Sequence, residues 1–341
     1  MSGKRLKIIG LLSKVEIIIV QLSPKIQIHE MANQSSVKDF VLMGFSDDSD
    51  LQMLHSVMFL IVYITALTGN CLIITAVAAD HNLHSPMYYF LVNLSLLDIC
   101  SISTTVPKSI AISWTNNKEI SFAGCVTQTF LMVMFVGGEL ALLTIMAYDR
   151  YVAICHPLQY RLIMNLNACI QIVAISFVCN LIHGMLETSM TFRLNFCASN
   201  TIDQYFCDIP QLQKISCTDT KINQMLILIL GFFLDSFIFT FIFASYTHIF
   251  LSVMKIASVQ RRYKVFSTCV PHLTVFSLFI ITAVFSYMRP KSLSSPSVDL
   301  LSAVLYTTLP PVLNPIIYSF RNNDLQKALK KILKKLNNLQ N

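Results

Sequence analysis

SVMFLIVYITALTGNCLIITAVAA, residues 56–79, contains no Asp, Glu, Lys or Arg. A helix that crosses roughly 30 Å of hydrocarbon needs about 20 mostly apolar residues, and this stretch is long enough. Residues 162–186, 265–288 and 300–320 are equally free of charge. Residues 88–107, 122–147 and 222–254 are also long enough, and each carries one acidic group: Asp98, Glu139 and Asp235 respectively. Seven spans result. A membrane β-barrel would instead alternate apolar and polar residues in segments of about 10. The sequence therefore predicts an all-α membrane protein, a seven-transmembrane helix bundle.

Composition agrees with that reading. Of the 341 residues, 54% are hydrophobic and 13% charged, against about 25% charged in an ordinary soluble domain. With a mean hydropathy of +0.61, the chain has too few charges to coat a water-facing surface of this size. A soluble globule, a disordered chain and a coiled coil are excluded. The net charge of +7 does not form a nucleic-acid groove, because the basic residues sit between apolar runs.

Basic residues collect in the loops on the cytoplasmic side of a membrane. With the C-terminus inside, the inner segments carry Arg150, Arg161, Lys255, Arg261, Arg262, Lys264 and the lysine-rich tail. The outer segments from residue 31 onward carry fewer. The N-terminus is thus expected outside. Residues 1–30 would erase the bias with Lys4, Arg5, Lys7, Lys14 and Lys25. They also make a poor signal peptide, since Lys14 and Glu16 interrupt the apolar stretch. Met31 is a plausible alternative start, which leaves 1–30 as an extension outside the fold. Residues 31–54 then form the outer N-terminal segment, with Asn33 as an N-glycosylation acceptor. Residues 55–320 form the body of seven spans, and 321–341 an inner tail. In that tail Leu325, Ala328, Leu329, Ile332, Leu333, Leu336 and Leu339 recur at helical spacing, with lysines on the other face. That pattern predicts a short amphipathic helix lying on anionic membrane lipid.

Cys71, Cys100, Cys169 and Cys179 fall within spans and read as small buried hydrophobes. Cys125, Cys197, Cys207 and Cys217 fall on the outer side, where disulfides form. Four cysteines allow three pairings, and sequence alone does not select one. A carboxylate within a span is costly unless it faces the interior and finds a partner. Asp98 and Glu139 together suit a hydrated cation such as sodium, a proton relay, or a pair with one carboxyl protonated. Asn70 and Asn314 would extend this into a polar network. Asp235 reads as facing a ligand cavity or as simply protonated.

The string Met146-Ala147-Tyr148-Asp149-Arg150-Tyr151-Val152-Ala153-Ile154-Cys155 resembles the third-helix signature of rhodopsin-like (class A) G-protein-coupled receptors, in the form carried by olfactory receptors. Gly69-Asn70, Pro86-Met87-Tyr88, Leu97-Asp98, Ser245-Tyr246, the run Lys264 to Cys269, His272-Leu273 and the run Pro310 to Tyr318 match as well. The resemblance covers about residues 31–335. It implies an odorant receptor at the plasma membrane that couples to a heterotrimeric G protein of the stimulatory olfactory type, raises cyclic AMP and catalyses nothing itself. It also implies the disulfides Cys125–Cys207 and Cys197–Cys217.

In such receptors the Asp149–Arg150 pair opens on activation, with Tyr246 and Tyr318 as the expected partners of the freed arginine. Arg150 cannot deprotonate, so the pair can only open or close. Pro315 removes a backbone donor and offers a hinge. Lys264 would line the inner face that the G protein meets. Small volatile, mostly lipophilic odorants are expected between the third, fifth, sixth and seventh spans. The candidate lining is Met132, Val133, Val136, Gly137, Asp235, Ile280, Val284 and Tyr287. Phe279-Ile280-Ile281 departs from the family's Phe-Tyr-Gly, and Pro271 stands where the family generally has Ser. The alternatives are an orphan chemoreceptor of the same class outside olfaction, and an ion-coupled transporter using Asp98 and Glu139. The transporter should show repeated halves, and no repeat is visible.

Overall fold

The computed structural model describes residues 39–46, 48–197, 199–217, 221–287 and 295–340. Residues 1–30, Met31 and Asn33 lie outside them. The described chain falls within one compact unit, Val37–Asn341.

Eight long helices make up most of it. α1 (Ser49–Ala79) begins ahead of the charge-free window because Asp48 caps it, accepting from the Asp50 and Leu51 amides at 2.9 and 3.3 Å. α2 (Pro86–Thr115) opens on a proline, which has no amide to leave unpaired, and closes at Asn116 with φ 53°. Its sequence window ended at Pro107, yet the helix runs on. Lys108, the charge that closed the window, turns its ammonium to the Glu119 carbonyl at 2.6 Å. α3 (Phe122–Cys155) is capped by Ser121, and α4 (Leu166–Phe192) by Asn165. α5 (Lys221–Met254), α6 (Val259–Tyr287) and α7 (Pro296–Arg321) complete the bundle. α6 continues through Pro271, so the proline does not end it. Seven of these helices are long and apolar enough to cross a membrane. α8 (Asn323–Gln340) follows as the amphipathic tail.

Burial ranks the helices. α2 and α7 are the most enclosed and α4 the least, which places the first two at the centre and α4 at the rim. Rim side chains such as Ile175 and Val178 on α4 and Phe243 on α5 point outward. Hydrocarbon tails solvate such groups as well as a protein core would, so this surface costs nothing in a bilayer. The same logic corrects the cysteine expectation. Cys169 is buried, whereas Cys71, Cys100 and Cys179 are exposed, because a thiol is apolar enough to face lipid.

A small sheet caps one end of the bundle, an addition the all-helical reading did not contain. β1 (Asp39–Leu42) lies between β2 (Glu119–Ser121), antiparallel to it, and β3 (Thr201–Ile202), parallel to it. Phe40, Leu42 and Ile202 from this sheet pack with Ile112, Cys125, Leu194, Phe196, Cys207 and Leu212 as a second core. Cys125 is bonded to Cys207 and Cys197 to Cys217, with Cα atoms 5.5 and 5.7 Å apart. The first bond ties the loop after α4 to the start of α3 and closes the cap over the helices.

Candidate functional site: a buried polar core and a locked helix end

Pro315 has no amide hydrogen, so the carbonyl four residues earlier in α7, that of Pro311, loses its helical partner. Asn70 of α1 supplies the missing donor: its Nδ2 lies 2.9 Å from that oxygen. Gly69, one residue before it, lets the helices come this close. A Cβ there would sit 2.9 Å from the Pro315 ring. The Gly-Asn pair and the proline thus form one device, in which the glycine admits the ring and the asparagine repairs the backbone.

One turn on, Asn314 Nδ2 donates to both oxygens of Asp98 at 3.0 and 3.1 Å, which joins α2 to α7. Glu139 of α3 is buried beside them, accepts from Ser101 and feels the Asp98 charge. Asn70 Oδ1, Glu139 Oε1, Asn314 Oδ1 and the Tyr318 hydroxyl are buried and make no hydrogen bond within the protein. Three of these are acceptor oxygens left without a donor, and the fourth, the Tyr318 hydroxyl, can donate as well as accept. Among the described residues no group of three or more His, Cys, Asp and Glu could hold a metal ion.

At the far end of α3 from the cap, Arg150 Nε donates to Asp149 Oδ2 at 2.9 Å, and its Nη2 contacts the same oxygen. The other carboxylate oxygen accepts from Tyr160 at 2.7 Å. Burial and the Asp149 carboxylate both push the Tyr160 phenol upward, so it stays a donor. Tyr246 and Tyr318, the expected partners of a released Arg150, are otherwise arranged. Tyr246 donates to His272 Nδ1 at 2.6 Å. His272 Nε2, which must then carry the proton, donates to the Leu143 carbonyl at 2.7 Å. One imidazole therefore holds α3, α5 and α6 together. In the sequence His272 is a match to the family pattern and has no metal-ligand spacing to the other histidines. The signal that it spans three helices lies in three dimensions.

Beneath the cap, Tyr205 and Phe206 of the disulfide-tied loop enter the bundle. They pack with Met132, Leu300 and Ala303, with Val136 alongside, and the Tyr205 hydroxyl meets Thr307 of α7. Burial raises the Tyr205 phenol, so it too remains protonated. Of the candidate lining, Met132 and Val136 adjoin this loop, and Val133 and Ile280 are half-buried. Gly137 faces α4, where a Cβ would lie 2.4 Å from Asn180 Oδ1. Val284 is 47% exposed. The side chains of Asp235, Lys264 and Tyr287 lie outside what the structure describes.

Seven membrane helices, a proline-bearing seventh helix repaired from the first, and a buried Asp-Arg pair at the end of the third define a multi-pass membrane protein of the G-protein-coupled receptor type. The sequence model described as olfactory receptor matches residues 59–336. The chain is 46% identical over 304 residues to human olfactory receptor 14A16, spanning 89% of this chain and 98% of that protein. It is 46% identical to human olfactory receptor 14C36 over 90% of this chain and 98% of that one. Olfactory receptor 1G1 of Gorilla gorilla gorilla is 43% identical over 89% and 97%. The chain belongs to the olfactory receptor family. Its members are receptors and not enzymes.

Proposed function

We propose that the protein binds small lipophilic odorants beneath the cap and activates a stimulatory heterotrimeric G protein, which raises cyclic AMP. The observation that carries the reading is the closed Asp149–Arg150 pair, with Tyr160 on one side and the His272 link on the other. Such a pair makes two states available, one closed and one open. A ligand shifts their balance by as much as it favours one of them. The cap end faces outside and the Arg150 end the cytoplasm, in keeping with the basic residues of the inner segments and the disulfides of the cap. Lys264 and its neighbours then meet the G protein. Met132 and Val136 line the ligand site together with Tyr205 and Phe206, and Ile280 approaches from α6.

Cyclic-AMP production against an odorant panel, with surface labelling in the same cells, tests this. Wild-type chain should respond to at least one odorant, and Arg150→Ala should reach the surface without responding. A response that survives in Arg150→Ala sinks the coupling mechanism.

A sodium ion is proposed for the polar core. Asp98 and Glu139 would supply charge, and Asn70 and Asn314 the uncharged oxygens. Bound there it would offset two buried carboxylates that repel each other. Replacing sodium by choline should lower the melting temperature of the purified receptor, and Asp98→Asn should remove that dependence.

A further inference from the structure

α8 does not lie free of the bundle. Leu325 and Ala328 are buried in the main core, with Leu329 and Ile332 against it. Asn322, just before the helix, caps it by accepting from the Asp324 and Leu325 amides, and also takes the Tyr88 hydroxyl of α2 at 3.1 Å. Once α8 is held in this way, its basic face borders a cleft of about 630 Å³ against the turn that follows α1. Asp80, Asn82 and Leu83 line the turn side, and Asp324, Lys327, Lys330, Lys331 and Lys334 the helix side. The lysines stand at i, i+3, i+4 and i+7, which is one stripe of a helix.

Two of the four are already paired: Lys331 with Asp80 at 2.9 Å, and Lys327 with Asp324 at 3.3 Å. Lys330 and Lys334 are exposed and have no ion-pair partner among the described residues. With four lysines against Asp80 and Asp324 the cleft is net cationic, and the carboxylate that holds Lys331 across it is one that a stronger anion can replace. A headgroup with a single phosphodiester needs only one such lysine. Four in one bounded space suit phosphates clustered on a single ring.

We infer that this cleft binds clustered phosphomonoesters, those of a phosphoinositide headgroup in the leaflet beside α8. Lys330, Lys331 and Lys334 take the phosphates, and Asp80 is the displaced internal anion. General attraction of a basic helix for anionic lipid predicts no such selectivity and assigns no role to Asp80. The leaflet named here rests on the receptor orientation proposed above. Binding itself does not, because both faces of a bilayer disc are accessible.

The test uses the full chain in phosphatidylcholine discs with a fluorescent phosphatidylinositol 4,5-bisphosphate as probe. Phosphatidylserine at matched charge and soluble inositol trisphosphate serve as competitors. The probe should bind saturably and resist phosphatidylserine. Each lysine near an anionic surface is worth about fivefold in affinity. The Lys330→Gln, Lys331→Gln, Lys334→Gln triple variant should therefore lose on the order of a hundredfold. Asp80→Asn should bind about threefold tighter, and Lys255→Gln, outside the cleft, should match wild type. Displacement by inositol trisphosphate at the lipid's own affinity would make the soluble phosphate the occupant. Resistance to it makes the lipid the occupant. Equal competition by phosphatidylserine, or an Asp80→Asn variant no tighter than wild type, overturns the proposal. No odorant or G protein enters the readout, so its failure is separable from failure of the receptor reading.

Discussion

His272 is fully buried, and both of its ring nitrogens are committed, one as acceptor from Tyr246 and one as donor to the Leu143 carbonyl. A buried neutral imidazole used in this way fixes the spacing of three helices at the Arg150 end. His272→Ala removes both bonds, and the closed arrangement loses more than the open one. Basal cyclic-AMP production should rise severalfold without odorant. An unchanged basal level at equal surface expression would show that the link is packing alone. This residue also marks a limit of sequence reading. A histidine in an apolar helix carries no sign of which neighbours it bonds, whereas Asp149-Arg150 is legible because both halves of the pair are adjacent in the chain.

At the scale of elements, the contact between α1 and α7 is set by Gly69, Asn70 and Pro315 together. Gly69→Ala forces a Cβ against a proline ring that cannot rotate away, and such overpacking costs about 1–3 kcal/mol. The purified variant should melt several degrees lower, and equal melting would refute the close-approach argument. This device was half legible. Both motifs were visible, and a proline predicts an orphaned carbonyl four residues back, but nothing in the sequence names the helix that repairs it.

The link between α8 and the turn after α1 carries a pH dependence. The Lys331 ammonium and the Asn82 amide hold the Asp80 carboxyl below its ordinary 3.8. A depressed carboxyl stabilises the fold above the unfolded value and loses that contribution as pH falls through the folded value. Hydrogen exchange of α8 should therefore speed up as pH drops below about 3.8, after correction for intrinsic rates, and Asp80→Asn should be fast at every pH. A wild type that shows no acid-dependent step beyond that of Asp80→Asn would contradict the link.

Across the whole molecule, the spans were readable because seven charge-free or nearly charge-free lengths admit no other structure in a bilayer. The cap was not readable. Strands of four, three and two residues have no period to detect, and they pair positions far apart in the chain. The Cys125–Cys207 bond, with a sequence separation of 82, stabilises that cap chiefly by restricting the unfolded chain, about 4 kcal/mol on the loop-entropy model. Cys125→Ser should abolish surface delivery. Cys197→Ser opens a loop with a separation of only 20 and should reduce delivery less. Equal losses would show that the cap depends on both bonds alike.

β1 is the middle strand of its sheet, bounded by residues 119–121 and 201–202. The ribosome makes it before either neighbour exists. At about 5–20 residues per second, Phe40 and Leu42 wait on the order of ten seconds for Ile202 to emerge. The first described segment to be synthesised thus completes its sheet only after α1 to α4 have been made. A bulky tag fused just ahead of Asp39 would therefore burden the closing of this sheet more than one placed after Gln340.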